Sequence, residues 1–112
     1  MVLTRSFKET IKARAERDPE FRAALLRESV ELMLSGDVET GRALVRDYIN
    51  ATIGFEELGG LVHKSPKSLM RMFGPAGNPQ ARNLFDVIRC LQEREAIRLE
   101  VHVASRKPVA AG

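Results

Sequence analysis

The sequence predicts an all-α fold of five to six short helices, followed by one C-terminal β-strand. Apolar residues make up 44% of the 112 residues, but aromatic residues make up only 5% and tryptophan is absent. The core must therefore be built from aliphatic side chains, which suit packed helices. Helix-start signals recur along the chain, and the apolar residues follow a helical period before they begin to alternate near the C-terminus. This length corresponds to one domain, predicted at 1–104, with a disordered tail at 105–112.

The first two helices are predicted from their capping residues and apolar stripes. Ser6–Arg17 reads as a charged helix that lies on the body of the protein with little of it buried. Asp18 is a good N-cap and Pro19 suits the first helical position, so a second helix runs from Pro19 to Ser35. Gly36 then ends this helix, because glycine readily adopts the left-handed conformation that follows a helix.

A third helix is predicted from its cap at Asp37 to about Ala51. Its apolar residues define one face that supports the rest of the domain. Arg42, Arg46 and Asp47 are interpreted as a solvated ionic face. The apolar face comprises Val38, Leu44, Val45, Tyr48 and Ile49.

The stretch Thr52–Phe73 predicts two short helices around a tight corner, which is the arrangement of a helix-turn-helix. The first of these helices begins after Gly54. Gly59 and Gly60 are expected where a second helix must approach closely, because glycine has no Cβ atom. The side chains predicted to face the core are Phe55, Leu58, Val62, Leu69, Met72 and Phe73.

The corner is expected at His63 and Lys64, although glycine is the usual residue at such a corner and an apolar residue usually follows it. Histidine is among the residues that tolerate a left-handed backbone, so the turn is feasible. Ser65 as N-cap and Pro66 at the first helical position then start the second helix. Its first exposed residues are Lys67, Ser68 and Arg71.

Positive charge is concentrated around this second helix. Residues 64–89 carry a net charge of +4, whereas the whole chain carries only +3. In a helix-turn-helix, the N-terminal end of the second helix enters the major groove of DNA, and cationic side chains offset the charge of the phosphates. The pattern therefore predicts binding to double-stranded DNA.

A loop and a last helix follow the corner. The segment Gly74–Pro79 contains two glycines and two prolines, so it cannot continue a helix. Asn78 is expected to cap the next helix, which runs from Pro79 to about Arg94 and whose N-terminus could donate hydrogen bonds to a phosphate. The residues expected to contact DNA are therefore Lys64, Ser65, Lys67, Ser68, Arg71, Asn78, Gln80 and Arg82.

The alternating residues Ile97–Val103 predict the β-strand. A single strand cannot pair its own backbone groups, so its partner would be a second copy, another protein or the stretch Met1–Thr4. No apolar run reaches the length of a membrane span and no signal peptide is evident, so we expect no membrane association and a cytoplasmic location.

An enzymatic function is not expected. His63 and His102 lie in a predicted turn and a predicted strand, and the sequence contains neither a nucleophile motif nor a glycine-rich phosphate loop. Cys90 is the only cysteine, so it forms no intramolecular disulfide and no cysteine-based metal site, and it is interpreted as a buried structural thiol. No cofactor is expected.

Three segments resemble the addiction-module antidote proteins, the HigA-like antitoxins of bacterial toxin–antitoxin pairs. These segments are FEEL at 55–58, PKSLMRMFG at 66–74 and GNPQARNLFDVI at 77–88. The resemblance covers about 50–99 and implies a lambda-repressor-like fold with an Xre-type helix-turn-helix. It also implies a dimeric repressor that autoregulates its operon and pairs with a small toxin of the RelE/ParE kind. The alternative is a protein-interaction module that neutralises such a toxin and binds DNA weakly, through the strand Ile97–Val103 and the N-terminal helix.

Overall fold

The structure, a computed structural model, describes residues 5–106 and the side chains from residue 9 onward. Its six helices confirm the all-α part of the prediction. Most of the predicted tail at 105–112 lies outside the described residues. None of the described helices is both long and apolar enough to cross a membrane. The helices are α1 (Arg5–Arg17), α2 (Pro19–Leu34), α3 (Val38–Ala51), α4 (Phe55–Val62), α5 (Pro66–Met72) and α6 (Ala81–Glu95).

Two of the helix starts depend on carboxylate caps that the sequence predicts. Asp18 accepts a hydrogen bond of 3.1 Å from the Phe21 N–H at the start of α2, and this bond is the main reason that the pKa of the Asp18 carboxyl is lowered. Asp37 accepts a hydrogen bond of 3.3 Å from the Thr40 N–H at the start of α3. Gly36 lies between the two helices with φ of 99°, a backbone angle that favours glycine.

Helices α2 and α3 form the central pair, and α1 packs against both. Helices α2 and α3 approach each other closely at Gly41, where a Cβ atom would lie 2.5 Å from Cγ of Met33 and 2.7 Å from the Ser29 carbonyl oxygen. Helix α4 packs on α5 and α6, and α6 returns to contact α2. One hydrophobic core joins α2 to α6, and its most buried residues are Leu26, Val45, Tyr48, Ile49, Phe55, Leu58, Leu69, Phe73, Val87 and Leu91.

A partly buried polar network beside this core ties together four helices. Glu95 on α6 accepts hydrogen bonds of 3.0 and 2.9 Å from Nε of Arg22 on α2, and it also accepts one from the Tyr48 hydroxyl on α3. Nη1 of Arg22 donates to the carbonyl oxygen of Ala15 on α1 at 2.6 Å. Burial, followed by the bond to Glu95, raises the pKa of the Tyr48 phenol above its usual range.

The predicted β-strand at Ile97–Val103 is wrong, because residues 5–106 contain helices but no strand. Helix α6 ends at Glu95 with Ala96 as its left-handed C-cap, and the segment beyond it is irregular. Ile97 and Leu99 are half-buried against the core, and the Leu99 N–H donates to Oε1 of Gln92 at 2.8 Å. Val101 and Val103 point into solvent, with exposed fractions of 78% and 100%. The alternation of apolar and polar residues therefore reflects a short irregular segment that packs one side against α6. A β-strand would need a neighbouring strand to pair with its backbone, and no described segment does so.

Candidate nucleic-acid interface

The corner between α4 and α5 lies where the sequence predicts it. His63 ends α4 in the left-handed conformation, with φ of 57° and ψ of 44°, and its N–H donates to the Gly59 carbonyl oxygen. The Lys64 N–H donates to the same oxygen at 3.1 Å. This pair of bonds closes the C-terminal end of α4 and begins the corner that leads into α5.

Only one of the two glycines of α4 is needed for a close approach. A Cβ atom on Gly59 would lie 2.6 Å from the Lys64 carbonyl oxygen, so the corner can fold back only over a glycine. A Cβ atom on Gly60 would meet nothing within 4 Å, so the expectation of close packing is wrong at that position. The corner is therefore a tight contact between one glycine and the backbone of the turn.

Helix α5 packs one side against the core and exposes its polar residues on the other side. Its start is fixed by Ser65, whose hydroxyl accepts a hydrogen bond of 3.1 Å from the Ser68 N–H. Leu69 and Phe73 are buried on the inner side, with exposed fractions of 0% and 2%. Lys67, Ser68, Met70 and Arg71 are exposed on the outer side. The predicted reading residues of α5 therefore all lie on the surface.

The cations of this surface form no ion pairs with the other residues that the structure describes. The described ion pairs involve none of Lys64, Lys67, Arg71 and Arg82. Arg89, which contributes to the positive charge of the segment, lies instead within 4.0 Å of carboxylate oxygens on α6, those of Asp86 and Glu93. Uncompensated positive charge is therefore located at the corner, on α5 and at the start of α6, where an anionic partner would gain the most from contact.

The interpretation of Arg42 as part of a solvated ionic face on α3 is wrong, because this residue is buried. Its side chain is 93% buried, and its Nη1 donates to the carbonyl oxygen of Met72 at 3.1 Å and to that of Gly77. The carbonyl oxygen of Gly74 lies at 3.5 Å from the same nitrogen. Arg42 thus holds the C-terminal end of α5 and the loop that follows it against α3. A cation is well suited to this place, because it faces the negative end of the α5 dipole.

The loop after α5 folds back over that helix. A Cβ atom on Gly77 would lie 2.3 Å from the carbonyl oxygen of Arg71 and 2.4 Å from that of Met72, so only a glycine fits there. This contact places the exposed Asn78 next to the end of α5. The predicted cap at Asn78 is wrong, since α6 begins at Ala81 and Gln80 occupies the N-cap position without a side-chain hydrogen bond. Gln80 and Arg82 are exposed at this helix start.

Two residues of this region escaped the sequence reasoning. Arg42 resembled any other charged residue on an amphipathic helix, and its partners lie 30–35 residues away in the chain. Met70 is half exposed in a short helix that also presents Lys67 and Arg71, although its hydrophobic side chain gave no reason to expect it outside. By the helical period it lies about 100° around α5 from Leu69 and about 60° from Phe73, at the edge of the buried stripe, so its position gave no clear signal.

A cleft of about 460 Å³ lies on another side of the corner, between α4 and α6, and includes His63 and Cys90. Cys90 is half-buried, and burial raises the pKa of its thiol, which disfavours the reactive thiolate. Within the described part of the chain, no group of three or more histidine, cysteine or acidic residues could hold a metal ion. This cleft therefore lacks the arrangement of a metal centre or of an activated nucleophile.

Comparison of the chain with protein-family models, with curated proteins and with solved structures gives no match. The resemblance to the antidote proteins therefore stays a prediction from three short segments.

Proposed function

We propose that this protein is a sequence-specific DNA-binding repressor, with α4 and α5 as a helix-turn-helix and α5 as the helix that enters the major groove. One observation carries the proposal. Lys67, Ser68 and Arg71 are all exposed on the outer side of α5, while Leu69 and Phe73 anchor its inner side. A helix held in this way can present cations and a hydroxyl to base edges without reorganisation.

The exposed residues have different parts in this proposal. Arg71 can bind the O6 and N7 atoms of a guanine as a bidentate donor, and Met70 offers an apolar surface to a thymine methyl group. The Ser65 hydroxyl already caps α5, so its part is to position the helix. Lys64, Asn78, Gln80 and Arg82 flank the helix and are suited to phosphate contacts, which fix the register of a duplex and carry no sequence information.

A homodimer is the second part of the proposal, because helix-turn-helix repressors read two half-sites about one turn of DNA apart. An apolar groove of about 440 Å³ between α2, α6 and the C-terminal segment offers a surface for a second copy. Leu34, Phe85 and Val101 are more than half exposed around it. Its rim carries both signs of charge, including Arg27 and Glu31, which suits a two-fold contact between identical surfaces.

The pairing with a RelE/ParE-type toxin rests on the resemblance. The same apolar groove favours the second candidate function, a module that neutralises such a toxin with little DNA binding of its own. Co-expression with the neighbouring reading frame distinguishes the two. A stable complex without salt-sensitive DNA binding supports the interaction module, whereas a dimer of this chain that binds its own upstream DNA supports the repressor.

The test is a titration of fluorescent duplexes, one from the upstream region of the gene and one of scrambled sequence. We expect Arg71→Ala to reduce the preference for the upstream duplex by about 1–3 kcal/mol, and Arg82→Ala to weaken both duplexes alike. Arg17→Ala, on the exposed surface of α1, is the matched control that should change neither. Equal affinity of the unmodified protein for both duplexes would refute sequence-specific reading.

A further inference from the structure

A small cavity of about 190 Å³ lies between α3 and the loop that follows α5. Arg42 and Arg46 line it from α3, one helical turn apart, together with Glu39. Phe73, Gly74 and Pro75 form the opposite wall. Two cations therefore share a cavity beside the end of the proposed reading helix.

Arg42 uses only part of its guanidinium to hold the loop. Its Nη1 serves the carbonyl oxygens of the loop, and its Nε is buried without a hydrogen-bond partner and too enclosed for a ligand to reach. No described hydrogen bond involves its Nη2, and Nη2 is not among the buried atoms that lack a partner. Nη2 is therefore the donor of Arg42 that a ligand in the cavity can reach, and a guanidinium N–H forms strong, charge-assisted hydrogen bonds with the oxygens of a carboxylate or phosphate.

Arg46 and Glu39 set the charge around that edge. Arg46 is half-buried, and no described ion pair neutralises it. Glu39 lies one turn before Arg42 on the same helix, and its carboxylate forms no described ion pair with either arginine. Its negative charge opposes an anion in the cavity, although it leaves the two arginines in excess. Removing that charge should therefore strengthen the binding of an anion.

We propose that this cavity is an oxyanion site, in which a phosphate group is bound by Nη2 of Arg42 and by Arg46. The loop after α5 forms one wall, so the group has two conceivable sources. One is a backbone phosphate of a duplex that lies along α5, and the other is free inorganic phosphate. The site itself does not depend on base reading by α5.

The first test is thermal unfolding of the full chain in inorganic phosphate and in chloride at equal ionic strength. Phosphate should raise the Tm of the unmodified protein. In Arg46→Gln, phosphate should bind about tenfold more weakly or worse, as expected for the loss of one charge-assisted hydrogen bond. Glu39→Gln should bind phosphate more tightly, and Arg27→Gln should match the unmodified protein. Equal protection of the unmodified protein and Arg46→Gln would overturn the proposal, because phosphate would then be binding elsewhere.

The second test distinguishes the two sources by titrating a random-sequence duplex at several salt concentrations. If a backbone phosphate occupies the cavity, Arg46→Gln should lower the slope of log K against log salt by about one, and inorganic phosphate should compete. If the ligand is free phosphate, the slope stays the same while the thermal protection remains. Protection without any duplex binding would refute the repressor and leave the oxyanion site intact. Neither protection nor a change in slope would mean that the cavity holds only water.

Discussion

The contact between Arg42 and the loop after α5 can be tested by replacing the arginine with methionine. Arg42→Met keeps an unbranched side chain of similar length and removes the guanidinium that donates to the carbonyl oxygens of Met72 and Gly77. These oxygens lie at the end of α5 and in the loop, where no helical N–H is available to replace the lost donor. We therefore expect the loop to loosen and the free energy of unfolding to fall.

The magnitude follows from the number of hydrogen bonds. Nη1 has two N–H groups for three carbonyl oxygens, and the bond to Gly74 at 3.5 Å contributes least. Two charge-assisted bonds remain, each worth roughly 1.5–3 kcal/mol, but water can reach a half-buried loop and replace part of each. The expected loss is about 2–4 kcal/mol. For a domain of this size, that loss lowers the Tm by roughly 8–16 °C.

The assay is urea unfolding followed by circular dichroism, with Arg27→Met as the matched control. Arg27 forms an exposed pair with Glu31 at 3.7 Å, so its replacement should change the free energy of unfolding by at most about 1 kcal/mol. Hydrogen exchange should also become faster in the amides of α5 and the loop than in those of α2. A loss for Arg42→Met no larger than that for Arg27→Met would show that Arg42 does not hold the loop.

Three further predictions concern the corner and the core. Gly59→Ala should destabilise the protein, because its Cβ would meet the Lys64 carbonyl oxygen. Gly60→Ala should stabilise it by about 0.5–1 kcal/mol, because the Cβ there meets nothing and alanine favours a helix more than glycine does. The reverse order of stabilities in urea unfolding would contradict the geometry of the corner. His63→Gly should stabilise the protein by about 1 kcal/mol, since a left-handed backbone disfavours a Cβ atom, and an unchanged Tm would argue against that conformation. Tyr48 is the only tyrosine and tryptophan is absent, so absorbance at 295 nm reports its ionisation alone. Its pKa is raised from 10.0, so above about pH 10 the unfolded chain loses a proton that the folded protein keeps, and the free energy of unfolding should fall by about 1.4 kcal/mol per pH unit. Tyr48→Phe should remove this component, and tyrosinate absorbance that appears before the helical signal is lost would refute it.

The helices could be predicted from the sequence because their signals are local. An Asp–Pro or Ser–Pro pair places a side-chain acceptor and a fixed φ angle within two residues, and the structure uses both signals at Asp18 and Ser65. The α6 start was wrong because Asn78 and Pro79 gave the same kind of signal two residues too early. Gly77 and the packing against α5 instead keep that stretch in the loop.

The contacts that hold the elements together could not be predicted in the same way. Arg22 and Glu95 are 73 residues apart, and Arg42 lies 35 residues from Gly77, so nothing in either neighbourhood identifies the partner. The β-strand prediction failed for a related reason. Alternation shows only that one side of a segment is covered, and whether a strand or a helix covers it depends on the remainder of the fold.

These long-range contacts also explain how so short a helix as α5 is held in place, as the proposed reading function requires. Seven residues are too few to form a stable helix in water, so the position of α5 is determined by its surroundings. The Ser65 cap fixes its start, Leu69 anchors its inner face, and Arg42 holds its end. Leu69 and Arg42 are buried, whereas Lys67, Ser68 and Arg71 are exposed and make no described side-chain hydrogen bond. The side chains proposed to read DNA are therefore free of structural duties, and their replacement should change DNA affinity with little effect on the stability of the fold.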